Sequence, residues 1–300
     1  GSGFAFGYLG GVVALFIMLL LLAESAATGR TLIGIPPILG LDPTLREGTR
    51  AAGPFTAIWY VVFMIPFVLW VRETPAPRRP LGLGRALRDL GALVGSLRQR
   101  RSLAAFLLSS MLSRDALNGL YAFGGIYAAG VLGWPVILSG IFGIVSALSA
   151  TVISWLGGRA DRRWGPKPVT ILCTLVLTLV CIVVVGMRRD HFFGIALPAG
   201  SPLPDAIFFL CGALIGGAGG VLQSAGRTLV VLHTSSERAT EVFGLYALSG
   251  KATTFLAPAL IALATQLSGS LQLGISPLIV MFLLSLVLLI WVKATGEPEQ

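Results

Sequence analysis

The sequence predicts an all-α integral membrane protein, and two observations predict it: the composition and the spacing of the apolar residues. Of the 300 residues, 55% are hydrophobic and only 12% are charged, whereas about a quarter of the residues of a soluble domain are charged. The apolar residues come in runs of about 20, the length that an α-helix needs to cross a hydrocarbon core about 30 Å thick. A water-soluble globular protein is therefore excluded.

Eight such runs follow one another along the chain, and we expect each to form one transmembrane helix. They cover residues 4–24, 55–71, 103–129, 135–156, 168–187, 206–232, 242–266 and 271–292. The second run is short, and we expect its helix to extend by a residue or two at each end. The first run lacks the basic n-region and the short apolar region of a signal peptide, so we expect it to be a membrane-spanning helix.

The basic residues predict the orientation of these helices. The segments 72–101, 157–167 and 233–240, together with Lys293 before the C-terminal tail, hold 14 of the 22 Lys and Arg residues. The opposite side holds five, and three lie inside spans. Cytoplasmic loops carry the excess of Lys and Arg, so we expect both termini in the cytoplasm and the protein in the plasma membrane. The same distribution assigns the net charge of +9 to topology and gives no reason to expect nucleic acid as a partner.

The long basic segment is the expected domain boundary. We expect the last two helices of an N-terminal half in residues 1–71, a cytoplasmic linker in 72–101, a six-helix bundle in 102–293 and a cytoplasmic tail in 294–300. Within the linker, one helical face carries Leu87, Leu90, Leu93, Val94 and Leu97. An amphipathic helix lying among lipid headgroups and a solvated linker both fit this pattern.

Residues 4–16 and 243–255 form a weak internal repeat that aligns without a gap. The identical pairs are Phe4 and Phe243, Leu9 and Leu248, Gly11 and Gly250, and Phe16 and Phe255. An even number of spans separates the two copies, so both run in the same direction across the membrane. Parallel repeats of this kind are expected of a transporter built from two similar halves.

Polar residues inside three spans are the candidate substrate or ion pathway. They are Asp115, Asn118, Gln223, Arg227 and Lys251. Each ionised group near the bilayer centre costs at least about 2.5–3.5 kcal/mol, so it should face a cavity or a partner. Asp115 and Lys251 lie at similar depth with opposite charge. They fit either an ion pair that only fixes helix packing or a site for a substrate or a proton.

Small residues and the absence of reactive motifs complete the prediction. Glycines recur every four residues, a pattern typical of closely packed helices, at Gly3, Gly7, Gly11, Gly212, Gly216 and Gly220. The three cysteines are isolated inside apolar runs, and there are only two histidines. We therefore expect no disulfide, metal or cofactor. No hydrolytic or nucleotide-binding motif is present, so an enzyme is not expected.

Residues 157–168, GGRADRRWGPKP, resemble the cytoplasmic loop signature of the major facilitator superfamily, G-x-x-x-D-R-x-G-x-K. Gly158, Arg163, Gly165 and Lys167 match it, Arg162 takes the position of the aspartate, and Asp161 lies one residue earlier. In that family the loop helps to hold the inward-closed state through charge contacts at helix ends. The resemblance therefore implies a gating role for these six residues.

Four further stretches, at 2–11, 114–133, 219–232 and 243–260, look like the branch of that superfamily with fungal vacuolar amino-acid effluxers and their bacterial relatives. This resemblance implies a major-facilitator-type bundle of twelve helices, of which four N-terminal ones are missing here and are expected to complete the bundle. It implies secondary transport of a small polar solute by alternating access, with amino-acid efflux favoured and proton coupling as an option. A non-transporting membrane scaffold or receptor, or a lipid flippase, is the alternative.

Single cysteines at positions 46, 80 and 163 test the predicted orientation. Pro80→Cys and Arg163→Cys should react with a membrane-impermeant thiol reagent only from the cytoplasm, because both positions lie in the basic segments. Arg46→Cys should react only from outside. Labelling of position 46 from the cytoplasm would reverse the orientation.

Overall fold

The computed structural model describes residues 2–25, 28–72, 91, 95, 97–235 and 238–296. The helices are α1 (Ser2–Ile17), α2 (Glu47–Arg50), α3 (Ala52–Trp70), α4 (Arg101–Gly130), α5 (Val136–Trp164), α6 (Pro166–Val185), α7 (Leu203–Leu232), α8 (Ala239–Ala252), α9 (Leu256–Ser268) and α10 (Ser276–Ile290). A π-helical turn, Met18–Leu22, continues α1, and two-residue strands β1 (His191–Phe192) and β2 (Ile195–Ala196) form a small antiparallel hairpin. Two compact units result: residues 1–8 with 82–300, and residues 9–81.

The predicted fold class, an all-α membrane bundle, is confirmed. Seven helical segments of the described residues are long and apolar enough to cross a membrane, and the protein is a multi-pass membrane protein. The eighth predicted span, 103–129, forms α4. This helix is long enough to span a bilayer, but Arg114, Asp115 and several serines make it more polar than the others.

In the larger unit, α7 packs along α5 with the two backbones in direct contact. A Cβ added to Gly216 would overlap the backbone carbonyl of Ser146. The hydroxyl of Ser146 donates to the carbonyl of Gly212 at 2.8 Å, and that of Ser149 donates to the carbonyl of Ala213 at 2.6 Å. Glycine makes such an approach possible in a membrane, where small residues let helix backbones come close.

The remaining helices of this unit are joined by buried polar contacts. Ser109 of α4 and Ser285 of α10 each donate to the other's backbone carbonyl, at 2.9 and 3.0 Å. At the opposite end of α4, the Asp205 carboxylate accepts from the Trp134 indole at 2.6 Å and from the Arg189 guanidinium at 2.5 Å. The hydrogen bond to Asp205 raises the pKa of the Arg189 guanidinium. These contacts pair polar groups of neighbouring segments with one another, as a lipid environment favours.

The predicted cytoplasmic loop 157–167 is wrong in its extent, because most of it is helical. Helix α5 continues to Trp164, and α6 begins at Pro166. Gly165 alone joins them, with φ at +84°, a conformation that favours glycine. Proline is suited to the first position of a helix, where no backbone donor is needed. The turn is therefore as short as one residue.

The predicted single helix across 242–266 is also wrong, because the structure has a break within it. Helix α8 ends at Ala252, and α9 begins at Leu256 after three residues. Pro258 explains the break. Its ring has no N–H and clashes with the carbonyl four residues earlier, which belongs to Thr254. As the third residue of α9, it is tolerated in the first turn, where backbone N–H groups have no partner within the helix.

In the smaller unit, the end of the first span is fixed to the start of the next by Glu24. Its side chain is buried and accepts hydrogen bonds from the Thr49 amide at 3.0 Å and the Thr49 hydroxyl at 2.8 Å. The Arg46 guanidinium lies 3.7 Å away. A buried carboxylate is stable only when it is paired in this way. Most of the predicted linker, residues 73–90, 92–94 and 96, and the tail residues 297–300 lie outside the described residues.

Gly216→Ala tests the contact between α5 and α7. The added methyl group would overlap backbone, which cannot move aside as a side chain can, so we expect a loss of roughly 1–3 kcal/mol in the free energy of unfolding. Gly140→Ala is the matched control, because a Cβ on this exposed glycine of α5 meets nothing within 4 Å. Thermal unfolding in detergent compares the two variants. Equal melting temperatures would contradict the contact.

Candidate functional site

Asp115, midway along α4, is a buried carboxylate without a hydrogen-bond partner among the described residues. Its side chain belongs to a residue that is only 2% exposed, and neither of its oxygens accepts a hydrogen bond from any described residue. The backbone N–H of Ala257 is directed at the carboxyl but lies outside hydrogen-bond geometry. Four residues further along α4, a Cβ on Gly119 would lie 2.9 Å from the Cβ of Ala257. Asp115 and Gly119 therefore face the first turn of α9.

This arrangement places the carboxylate opposite the helix break. The first amides of a helix have no carbonyl partner within it and carry partial positive charge, so α9 presents an attractive end to Asp115. The hydroxyl of Thr253, in the break itself, is buried and also has no partner among the described residues. Asp115, which faces the first turn of α9, and Thr253, within the break, thus both have polar atoms without a partner among the described residues.

Arg114, the neighbour of Asp115, contacts the other half of the broken span. Its guanidinium donates to the carbonyl of Tyr246 in α8 at 3.0 Å and lies 4.3 Å from the centre of the Tyr246 ring. It also lies against Gly250, where a Cβ would overlap the guanidinium. Adjacent residues of α4 therefore contact the two half-helices separately, Arg114 on α8 and Asp115 on α9.

Lys251 and Asn118, two other predicted pathway residues, are exposed. Lys251 lies in the last turn of α8, where a positive charge is favourable because of the helix dipole. It forms no ion pair with Asp115, although both residues are described. The structure thus gives no support to the alternative that the two residues are a packing ion pair.

Arg227 lines a cavity of about 760 Å³. Its guanidinium lies 4.8 Å from the centre of the Phe4 ring, within cation–π range. The hydroxyls of Ser224 and Thr228 also line the cavity, and the other lining residues are Gly3, Gly7, Tyr8, Val231 and Phe243. Phe4 and Phe243, the first identical pair of the internal repeat, therefore face the same space. Gln223 lies four residues before Arg227 on α7 and is half-buried.

A second cavity, of about 410 Å³, adjoins the first, because Tyr8 lines both. Its walls are α4 at Tyr121 and Gly124, α5 at Phe142, and α7 at Gly216. Together the two cavities follow one face of α7. Their volumes are within the range that small-molecule sites occupy.

The two rows of glycines differ in their surroundings. Those of α7 contact neighbouring side chains or backbone, Gly212 at Phe142 and Gly220 at Ser154. For Gly3, Gly7 and Gly11, a Cβ would meet nothing within 4 Å among the described residues, so their predicted close packing stays a prediction. Gly3 and Gly7 line the larger cavity, and open space there explains the missing contact.

The predicted gating residues lie around the α5–α6 turn. Asp161 accepts a hydrogen bond from the Thr228 hydroxyl of α7 at 2.9 Å, and its other oxygen is buried without a partner among the described residues. The Lys167 ammonium donates to the carbonyl of Val292 at 2.6 Å. Gly158 is buried, whereas Arg162 and Arg163 are exposed in the last turn of α5. Side chains thus connect this turn to the C-terminal part of α7, through Asp161, and to the chain just after α10, through Lys167.

Comparison with known proteins decides the family. The profile of the family described as "Vacuole effluxer Atg22 like" matches residues 1–298. The chain belongs to this family. The Atg22-like proteins are transporters related to the major facilitator superfamily and not enzymes, which confirms the predicted resemblance and the expectation that the chain is not an enzyme.

Individual relatives are distant but cover nearly the whole chain. The uncharacterized MFS-type transporter YxiO of Bacillus subtilis is 22% identical over 99% of this chain and 63% of its own length. Autophagy-related protein 22-1 of Aspergillus niger is 22% identical over 97% of this chain and 46% of its own. Autophagy-related protein 22 of Cryptococcus neoformans is 24% identical over 93% of this chain and 50% of its own. The chain thus spans about half to two thirds of the length of these curated relatives.

The sequence did not lead us to predict the contacts of Arg114 or the break between α8 and α9 opposite it. Arg114 was recognisable as a charge inside a span, but its partners, Tyr246 and Gly250, carry no charge that would identify them. A signal for the break was present, because Pro258 lies well inside the predicted span and follows two β-branched threonines.

Thr228→Val tests the contact between α7 and the turn of this Atg22-like protein. The change leaves Asp161 without its donor, and an unsatisfied buried acceptor costs about 1–3 kcal/mol. Thr151→Val is the matched control, because the Thr151 hydroxyl bonds only to the carbonyl of Ala147 in its own helix. We expect a lower melting temperature for the first variant than for the second. The reverse order would refute the contact.

Proposed function

We propose that this chain forms part of a secondary transporter that moves a small polar solute across a membrane by alternating access, with Asp115 as a substrate or proton site. Membership of a transporter family supports transport as the activity, and so does the similarity to an MFS-type transporter of Bacillus subtilis. The observation that carries the role of Asp115 is its buried, unpartnered carboxylate opposite a broken membrane helix.

Burying the Asp115 carboxylate costs free energy. A charge buried in a membrane bundle is costly, and a carboxylate that only stabilised packing would be expected to have a partner, as Glu24 has in Thr49. Asp115 has none among the described residues. In transporters, discontinuous helices supply free backbone ends at the binding site, and α9 supplies such an end here. A proton on the carboxyl, or a cationic group of the solute, would remove the penalty.

The two adjoining cavities are the proposed solute pathway. Their lining residues include one guanidinium, from Arg227, six residues with hydroxyl groups and several aromatic rings. A small solute with an anionic group and an apolar part matches this lining. Amino acids meet that description, and with their amino group they would also match a carboxylate such as Asp115. Gln223, Asn118 and Lys251 complete the proposed pathway.

The membrane location and the remaining partners are part of the same proposal. We expect both ends of this chain in the cytoplasm and the protein in the plasma membrane, from the loop charges. Further helices, four by the family resemblance, would complete the wall of the cavity. Counterflow of the solute distinguishes a transporter from a scaffold or receptor, and movement of a fluorescent phospholipid would indicate the flippase alternative.

Asp115→Asn tests the proposal in the full-length protein. With the protein in proteoliposomes, we expect counterflow of labelled amino acids to be abolished, because amide and carboxylate differ in charge but hardly in size. We also expect the melting temperature to stay equal or to rise, since the variant removes a costly buried charge. Asp190→Asn, the same change at an exposed loop residue, should leave both unchanged.

The double variant Asp115→Asn with Lys251→Leu decides between a site and a packing pair. If the two residues only neutralised one another, the double variant should transport normally, because buried ion pairs often tolerate apolar replacement. We expect it to be as inactive as Asp115→Asn alone. Full transport by the double variant would overturn the proposed role of Asp115.

A further inference from the structure

Two adjacent residues of α4, of opposite charge, face the two halves of the broken span. Arg114 bonds to α8 through the Tyr246 carbonyl at 3.0 Å, and Asp115 faces the first turn of α9 at Ala257. Consecutive helical residues point about 100° apart. The Arg-Asp pair can therefore reach two elements on either side of the break.

The signs of the two charges match the ends that they face. The Arg114 guanidinium also lies against Gly250, in the last turn of α8, where backbone carbonyls carry partial negative charge. Helix α9 turns its N-terminal end, with partial positive charge, toward Asp115. An exchange of the two charges would place each against an end of like sign.

The place of Arg114 is fixed closely by its surroundings. The Tyr246 ring lies on the guanidinium at 4.3 Å, and Gly250 leaves space that any Cβ would fill. Tyr246 and Gly250 are one turn apart, so they present a single face of α8. Gly244, on the same helix, has no neighbour within 4 Å of an added Cβ. The close fit is thus specific to the residues around Arg114.

We propose that Arg114 is a positioning residue: by clamping α8 at Tyr246 and Gly250, it sets the angle of the break so that the free amide end of α9 faces Asp115. The clamp requires glycine at position 250 and, at position 114, a cationic side chain that donates to the Tyr246 carbonyl. Its effect on transport rests on the proposed function of Asp115, whereas its effect on the angle between α8 and α9 does not.

Distances between spin labels on either side of the break measure that angle. In the full-length protein in lipid nanodiscs, labels at Ala247→Cys and Ser268→Cys, both exposed positions, lie about 32 Å apart along the helices at 1.5 Å per residue. The native cysteines are replaced by serine. With the labels about 10 Å and about 21 Å from the break, a change of about 20° in the kink would change the distance between them by up to about 3 Å.

We expect Gly250→Ala and Arg114→Gln to shift or broaden this distance distribution by that amount. Arg114→Lys, which can still donate to the Tyr246 carbonyl, should remain closer to the parent. Gly244→Ala, the same change as Gly250→Ala on the same helix, should leave the distribution unchanged. If Arg114→Gln does not fold, Gly250→Ala still tests the clamp, because it keeps the charge and removes only the space.

Transport kinetics connect the clamp to Asp115. Gly250→Ala should raise the half-saturation concentration of the solute by about tenfold or more, as when one hydrogen bond to a charged group is lost, and Gly244→Ala should not. Parent distances in Gly250→Ala and Arg114→Gln would overturn this proposal. Altered distances with parent kinetics in Gly250→Ala, while Asp115→Asn is inactive, would overturn it as well and leave the proposed function intact. Normal transport by Asp115→Asn would instead refute the proposed function, and the distances would still decide the clamp.

Discussion

The constraint on which the rest of this structure depends is that polar groups within a bilayer must find partners in the protein. Most of the described helices satisfy it by themselves, since an unbroken helix pairs its own backbone groups. The serines that join α4 to α10 and α5 to α7 satisfy it by donating to carbonyls across the interface. The break between α8 and α9 departs from the rule, because it frees backbone ends in the middle of a span.

The position of the charged residues follows from that departure. A carboxylate buried against unbroken helices would have nothing to offset its desolvation. Opposite the start of α9 it meets backbone amides, but at a distance that leaves both of its oxygens unpartnered. Under the proposed function, a proton or a cationic group of the solute would occupy this site and offset the cost of burying the charge. We infer that Pro258, which produces the break, is as much a part of this site as Asp115 itself.

The helices were predictable from sequence because hydrophobic length alone specifies a transmembrane segment. The ends of the helices were less predictable. Residues 157–164 are too polar for lipid yet remain helical, because charged side chains in the last turn of α5 can reach the headgroup region. The burial of Asp115 followed from its cost in a membrane. Its relation to Lys251 did not, because a sequence gives the depth of a residue but not the direction in which its helix face points. The contacts of Arg114 with Tyr246 and Gly250 depend on that direction as well.

The glycine-lined contact between α5 and α7 has a mechanical consequence. Two helices whose backbones touch at Gly216 and Ser146, with serine hydroxyls of α5 bonded to carbonyls of α7, resist bending as a pair because backbone cannot move aside as a side chain can. Stiffness is therefore unevenly distributed in the bundle, with a continuous contact between α5 and α7 and a break between α8 and α9. A force on this bundle would be expected to change the angle between α8 and α9. Helices α5 and α7 would move together without bending.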